Sequence, residues 1–151
     1  MKNILQALLI SISFPGLSQV AFSYFPFQSI LSVSSNTEKL IWADFKLETN
    51  TFITNMNMEL SPKFNVKRTE SVNYYLGAGV NFNPAYIVSD LAVMSGYFAD
   101  IGVRVKPLKG VKNLQVVFEL SPYINAKLGG GNLRTRLGIA YNFARNPKIK
   151  S

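Results

Sequence analysis

Residues 133–143 read LRTRLGIAYNF, and this stretch alternates apolar and polar side chains without a break. Leu137 and Ile139 fall on one side of the alternation, whereas Arg136 and Asn142 fall on the other. Successive side chains of a β-strand point to opposite faces, so the stretch predicts a strand with one apolar and one polar face. The alternation has a period of two, which favours a β-strand over a helix.

The same alternation recurs in five other stretches of similar length. They are 41–48, 56–65, 72–82, 99–106 and 114–121. A strand of about ten residues is long enough to cross a bilayer when it is tilted. A further strand is predicted within 20–34, from Phe27 onward, where the alternation is weaker.

The stretch 85–93 fits two kinds of secondary structure. Asn83 could cap a helix with Pro84 at its first position, and Ile87 and Leu91 are spaced as on a helix. Read as a strand, the same stretch completes a set of eight. The internal repeat described next favours the strand, which is therefore our prediction.

The chain contains an internal repeat with a period of about 60 residues. Residues 59–67 read ELSPKFNVK and residues 119–127 read ELSPYINAK; a polar loop follows each copy, and then LGAGVNF or LGIAYNF. Such self-similarity predicts two related halves, each containing this hairpin. If both copies face the same way in an up-and-down sheet, they lie an even number of strands apart. The prediction is an all-β, eight-stranded antiparallel up-and-down transmembrane β-barrel built from two related four-strand halves, with a bulge at each Leu-Ser-Pro.

Composition excludes several kinds of chemistry. The chain has no Cys and no His, so it has no disulfides or thiolate nucleophile, and it lacks the usual general base and the commonest metal ligand. We therefore predict no catalysis, no metal and no cofactor. The net charge of +8 would suit an anionic partner such as lipid phosphates. Acids are mixed with the bases on the polar faces, which argues against nucleic acid as a partner.

The N-terminal residues have the composition of an export signal. Lys2 precedes the apolar run 4–12, and small residues follow at Gly16 and Ser18. A basic start, a short apolar run and a small-residue cleavage site are typical of a secretory signal peptide. The predicted organisation is a signal peptide at 1–18, a β-barrel domain at 19–143 and a basic C-terminal tail at 144–151.

Alternation does not by itself decide which face of the barrel meets solvent. A soluble lipocalin-like barrel in the periplasm would bury the apolar face around an apolar ligand, whereas a membrane barrel would turn that face to lipid. The polar faces here are rich in Gly, Asn and charges of both signs, which suits a narrow lumen. Aromatic residues gather near the strand ends, as in interfacial girdles. Both observations favour the membrane barrel.

The polar faces carry charges that should meet inside the barrel. The predicted lumen network comprises Asp44, Glu59, Asp100, Arg104, Glu119, Arg134 and Arg136, with Glu48, Lys46, Lys63 and Lys106 on the same faces. An eight-stranded barrel is just wide enough for side chains to fill, so a cross-barrel salt-bridge network is expected. A narrow pore or a small-ligand site is the alternative.

A signal peptide, about eight alternating strands and a final strand ending in LGIAYNF resemble the small bacterial outer-membrane β-barrels. The Asn-rich and Tyr-rich style over residues 28–143 is similar to barrels of the Bacteroidota. The resemblance implies an outer-membrane location, membrane lipid as partner, and a structural, surface or minor channel role. With the N-terminus in the periplasm, eight strands would place the loops at 67–71 and 127–132 together at the outer end. Lys67, Arg68 and Lys127 would there be solvated loop charges or, as the alternative, contacts for lipopolysaccharide phosphates. Asn50-Thr51, Asn83-Pro84 and a basic turn with Lys106, Lys109 and Lys112 would lie at the periplasmic end.

Overall fold

A computed structural model describes residues 19–49, 56–89 and 91–144, and these residues form a closed barrel. The strands are β1 (Ala21–Phe25), β2 (Ile30–Ser34), β3 (Ile41–Glu48), β4 (Met58–Arg68), β5 (Val72–Phe82), β6 (Met94–Val105), β7 (Leu114–Asn125) and β8 (Gly131–Asn142). Each strand pairs antiparallel with the next, and β1 pairs with β8 to close the ring. The predicted all-β class, with eight antiparallel strands in an up-and-down barrel, is confirmed.

The chain before Ser34 contains two short strands where one was predicted from Phe27 onward. β1 and β2 hold five residues each. In the tight turn between them the Ser29 N–H donates to the Pro26 carbonyl at 3.4 Å, and Ser29 has a φ of 51°. Strands this short contain few alternations, which explains why β1 was missed.

A 3-10 helix, Pro84–Ser89, stands where a strand was predicted at 85–93. Asn83 begins it, because its Oδ1 accepts the Ala85 N–H at 3.0 Å. Pro84 has no N–H to give to a ladder, and its fixed φ suits the start of a helix. The prediction of a strand at 85–93 is wrong. The number of strands is still eight, because β1 is a strand that was not predicted.

The repeated hairpins lie on β4–β5 and on β7–β8, which are three strands apart. Adjacent strands alternate in direction, so the two copies run in opposite directions along the barrel. The offset of four that two four-strand halves require is not found, and that division is not confirmed. Both copies nevertheless turn the same residue types inward: Glu59 and Ser61 on β4, and Glu119 and Ser121 on β7, are buried.

The strand register does not shift at either proline of the repeat. Pro62 keeps its register with β3, and Pro122 keeps its register with β8. On the other side of each proline the ladder is interrupted, so the missing N–H is not needed there. The predicted bulges at Leu-Ser-Pro are wrong; in β4 the register shift falls between Asn65 and Lys67.

The two ends of the barrel differ from those predicted. We call the end where β1 begins and β8 ends the terminal end, and the opposite one the far end. Lys67 and Arg68 end β4 at the terminal end. The β4–β5 loop that follows lies beside the β6–β7 loop, where Lys112 Nζ is 3.5 Å from Glu70 Oε2. Lys127 lies in the β7–β8 loop at the far end. Lys67 and Arg68 therefore do not share an end with Lys127, and the prediction that these three residues lie together at one end is wrong.

Several predictions concern residues outside the described ranges. They are the signal peptide at 1–18, the turn at Asn50-Thr51 and, beyond Ala144, the basic tail. In the part of the chain that is described, no helix is long and apolar enough to cross a membrane.

The outer wall of the barrel is apolar. Every strand contributes at least one large apolar side chain exposed on the outside, among them Tyr24, Leu31, Ile41, Leu60, Leu76, Ile101, Phe118, Leu137 and Ile139. Their neighbours in sequence point inward and are mostly polar. The alternation therefore corresponds to an apolar exterior and a polar interior.

Candidate functional site: a charged barrel interior

A compact cluster of charges lies in the middle of the barrel. Lys63 Nζ lies 3.1 Å from Asp44 Oδ2, 2.9 Å from Asp100 Oδ2 and 2.5 Å from Glu119 Oε2. Lys46 Nζ contacts the same three carboxylates. All five residues are at most 2% exposed. Burying charges is costly unless they are paired, and here each lysine faces three acids.

Two arginines extend this cluster toward the far end. Arg136 Nη1 lies 3.1 Å from Glu119 Oε1, and its Nη2 lies 2.8 Å from Glu59 Oε1. Arg134 Nη1 lies 2.7 Å from the same Glu59 oxygen. Glu59 Oε1 thus accepts from two guanidinium groups, and Arg136 joins Glu59 to the central cluster.

Three hydroxyl groups donate hydrogen bonds to the carboxylates of the central cluster. Ser32 and Ser34 donate to Asp44 Oδ1 at 2.5 and 2.9 Å. The Tyr75 hydroxyl donates to Glu119 Oε2 at 3.0 Å. These bonds fix the carboxylates in the orientation that meets the lysines.

Arg104 lies in a separate layer toward the terminal end. Its guanidinium carbon is 4.9 Å from the ring centre of Trp42 and 5.9 Å from that of Tyr75. Its Nη1 donates to Gln115 Oε1 at 3.5 Å. Aromatic faces can stabilise a desolvated guanidinium, so this buried charge is held by rings and an amide rather than by a carboxylate within ion-pair distance.

Glycines on the inner face make room for large side chains. A Cβ on Gly102 would lie 2.1 Å from the Tyr75 ring, and one on Gly138 would lie 2.7 Å from the Phe25 ring. Real Cβ atoms essentially never come this close, so a side chain at either position would force a buried ring to move. The glycines of the polar face are therefore a packing requirement of a filled lumen.

The loop between β2 and β3, residues 35–40, folds into the terminal end of the barrel; we call it the plug. Glu38 is its anchor: Oε2 accepts from Lys106 Nζ at 2.8 Å, and Oε1 accepts from Asn73 and Gln115 at 3.1 Å each. The Glu38 carbonyl accepts from Arg68 at 2.6 Å. Residues of β4, β5 and β7, together with Lys106 directly after β6, therefore hold this one buried residue of the plug.

The plug is also held through its backbone and its threonine. Asn65 Nδ2 donates to the carbonyls of Thr37 and Lys39 at 2.8 and 2.6 Å. Asn142 Nδ2 donates to Thr37 Oγ1 at 2.9 Å. Thr37 is fully buried, so the plug closes this end of the lumen.

Replacing Glu38 by Ala should release the plug. The variant leaves Lys106, Asn73 and Gln115 without their acceptor, and a hydrogen bond to a charged group contributes about 1.5–3 kcal/mol. We expect amide exchange at residues 36–39 to accelerate roughly tenfold or more, as measured by hydrogen–deuterium exchange of the full chain. Lys39→Ala, at an exposed position of the same loop, is the control. Unchanged exchange in the Glu38 variant would show that this acid does not anchor the plug.

Toward the far end, the residues that the structure describes leave a space in the lumen. A vestibule of about 620 Å³ enters there and ends at the charge cluster. Its lining is mainly amide, hydroxyl and charged: Gln28, Ile30, Lys46, Glu48, Asn57, Glu59, Asn81, Ser95, Tyr123, Asn132, Arg134, Thr135 and Arg136. The described part of the interior thus has the plug at its terminal end, the charge cluster in its middle and the vestibule toward its far end.

The structure brings together most of the residues predicted for the lumen network. Asp44, Glu59, Asp100, Glu119, Arg134 and Arg136 form one chain of contacts with Lys46 and Lys63, whereas Arg104 stands apart. Sequence reasoning missed the roles of Tyr75, Trp42 and Glu38. Tyr75 and Trp42 lie on the polar side of their strands, so the alternation could have predicted that they point into the lumen. Glu38 lies in a loop, where no alternation predicts the direction of a side chain.

Two further findings concern this site. Among the residues that the structure describes, no group of three or more His, Cys, Asp and Glu side chains could hold a metal ion. Comparisons with protein families, with curated proteins and with solved structures find no match to this chain.

Proposed function

We propose that this protein is a non-enzymatic integral β-barrel of a bacterial outer membrane, with a structural or surface role rather than a channel role. The proposal includes export through the signal peptide and membrane lipid as the main partner. The observation that carries it is the inversion of the usual pattern: apolar side chains surround the exterior, and ion pairs fill the interior.

The extent of the exterior surface supports lipid as its surroundings. Ile139 is 61% exposed and Ile101 is 54% exposed, and comparable side chains occur on all eight strands. Soluble monomers rarely expose apolar patches of this extent. A protein partner would cover one side of a cylinder, whereas a bilayer surrounds it. A closed barrel also leaves no unpaired strand edge, which lipid requires.

Aromatic residues near both ends of the wall support the same conclusion. Phe22 packs edge-on against Phe143, with ring centres 5.9 Å apart, at the terminal end. Tyr97 is exposed toward the far end. Aromatic girdles of this kind mark the two interfaces of membrane barrels, with aliphatic residues between them.

The filled interior supports a structural role over conduction. The plug closes the terminal end, and the central lysines and acids occupy the lumen between it and the vestibule. Passage of a solute would require both to move. For this reason we favour a structural or surface role over the minor channel.

A soluble lipocalin-like carrier of an apolar ligand is less well supported. Such a protein needs an apolar cavity, and the described interior offers only a small apolar patch of Phe25, Ile30, Val117 and Ala140. The charged lining of the vestibule would also repel an apolar ligand.

The test combines cell fractionation with a charge placed on the outer wall. After carbonate washing, the full chain should stay in the membrane pellet, and it should show heat-modifiable gel mobility. Leu137→Arg, at an outward position of β8, should cost about 2–4 kcal/mol of folding free energy in lipid vesicles. Leu128→Arg, in the β7–β8 loop, is the matched control and should cost little. A wild-type chain in the soluble fraction, or a Leu137→Arg variant as stable in vesicles as the control, would contradict the membrane proposal.

A further inference from the structure

The charges that face the barrel interior balance one another. Six acids and six bases point inward, namely the predicted lumen network together with Glu38, Glu48, Lys46, Lys63 and Lys106. The net charge of +8 therefore belongs to residues other than these twelve. A surplus of this size attracts an anionic partner, and its distribution indicates where that partner would bind.

The outward basic residues of the described chain gather at the terminal end. The end of β4 and the loops at this end carry five such bases and one outward acid, Glu70. By sequence, the four connections at the far end contain Lys127 and Asp90 and no other outward charge. We call the five bases the basic rim. They are Lys39, Lys67, Arg68, Lys109 and Lys112.

Little negative charge is available to neutralise the basic rim. Among the described residues, only Lys112 of the rim has a carboxylate within ion-pair distance, that of Glu70, and this pair is exposed. Exposed ion pairs of this kind are weak. The sequence of 1–18, 50–55 and 145–151 contains no Asp or Glu. The rim is therefore free to pair with an anionic group from outside the chain.

Exposed apolar side chains lie next to the lysines of the rim in all three loop regions of this end. A lysine can extend its ammonium group to a phosphate while an apolar neighbour enters the acyl region, so such pairs suit the boundary between headgroups and acyl chains. A protein partner would contact one side of the barrel, whereas a bilayer reaches all three regions. The neighbouring pairs are Lys39–Leu40, Val66–Lys67, Leu108–Lys109 and Val111–Lys112.

We propose that the basic rim binds the headgroups of anionic phospholipids in the leaflet at the terminal end. This inference rests on the proposed function, because a barrel outside a membrane has no leaflet beside its rim. Each ammonium group offers three donors to phosphate oxygens, and each base held near an anionic lipid surface adds to the attraction. The protein should therefore hold phosphatidylglycerol more tightly than zwitterionic phosphatidylcholine.

The test measures which lipid the folded full chain retains. The chain is reconstituted in phosphatidylcholine vesicles that contain a trace of spin-labelled phosphatidylglycerol or of spin-labelled phosphatidylcholine. Electron paramagnetic resonance then gives the fraction of each probe held at the protein. Phosphatidylglycerol should be enriched about threefold or more over phosphatidylcholine at low salt. Most of this preference should disappear at about 1 M salt, where the screening length is about 3 Å.

Three variants test whether the rim carries the preference. The triple variant Lys39→Gln/Lys67→Gln/Lys109→Gln removes one charge from each loop region and should lower the preference by about half or more. Arg at the same three positions keeps the charge and should keep the preference. Lys127→Gln is the matched control, because Lys127 is exposed beside Leu128 at the far end; it should change the preference little.

The outcomes separate this inference from the proposed function. A chain that resists carbonate extraction from phosphatidylcholine vesicles but holds both probes equally would overturn the basic-rim inference and leave the membrane barrel standing. A chain that inserts into neither lipid would overturn both. An effect of Lys127→Gln as large as that of the triple Gln variant would overturn the assignment to the terminal end. Binding of soluble polyglutamate without any preference between the lipid probes would replace the lipid by an acidic protein.

Discussion

Replacing Lys63 by Met is expected to destabilise the barrel by about 3–5 kcal/mol. The ammonium group lies within 3.1 Å of Asp44, Asp100 and Glu119, and it is almost fully buried. Met fills a similar volume but leaves the three acids with less positive charge than they need. Chemical unfolding of the full chain, followed by circular dichroism, measures the change in the free energy of unfolding.

Two further variants test the cause of that loss. Lys109→Met removes an exposed lysine at the terminal end and should change stability by less than about 0.5 kcal/mol. The double variant Lys63→Met/Asp100→Asn removes an acid together with the base and should recover part of the stability. A Lys63→Met protein as stable as Lys109→Met would show that the cluster does not depend on this ammonium group.

Replacing Gly138 by Glu should cost about 4 kcal/mol or more, because two penalties add. The new Cβ would lie 2.6 Å from the Tyr24 carbonyl oxygen and 2.7 Å from Phe25, so β1 would have to move. The new carboxylate would also enter the apolar patch that contains Phe25, Val117 and Ala140. Heat-modifiable mobility gives the folded fraction, and unfolding gives the free energy.

Gly129→Glu is the matched control for this change. Gly129 lies in the β7–β8 loop, and its added Cβ would meet nothing within 4 Å. We expect this variant to fold with nearly wild-type stability. Equal stability of the two glycine variants would mean that the inner wall at Gly138 is wet and uncrowded, contrary to the packing described above.

The strands were predictable because alternation is a local property. Val72–Phe82 coincides with the predicted 72–82, since eleven residues give repeated evidence of one period. The strand Ala21–Phe25 was not recognised, because five residues next to Pro26 give little evidence of a repeating period. The helix at Pro84–Ser89 was misassigned because the repeat was taken to require an even strand offset, which the fold does not have.

The interior was predictable only in part. Alternation predicted that Glu119 and Lys46 point inward, but these residues are 73 positions apart in sequence. The stagger of a closed barrel decides which inward residues meet, and a single sequence does not encode that stagger locally. The plug was unpredictable for a related reason: Glu38 acts from a loop, and only the closed ring brings Lys106 to it.

The ladder that joins the first strand to the last has a consequence for assembly kinetics. β1 and β8 pair only from Ala21 to Tyr24, whereas β7 and β8 pair from Leu114 to Ile124. This seam is the shortest ladder in the ring, and it joins residues more distant in sequence than any other strand pair does. Loop-closure entropy delays contacts between residues so far apart in sequence. The β1–β8 pairing should therefore form last during folding and separate first during unfolding.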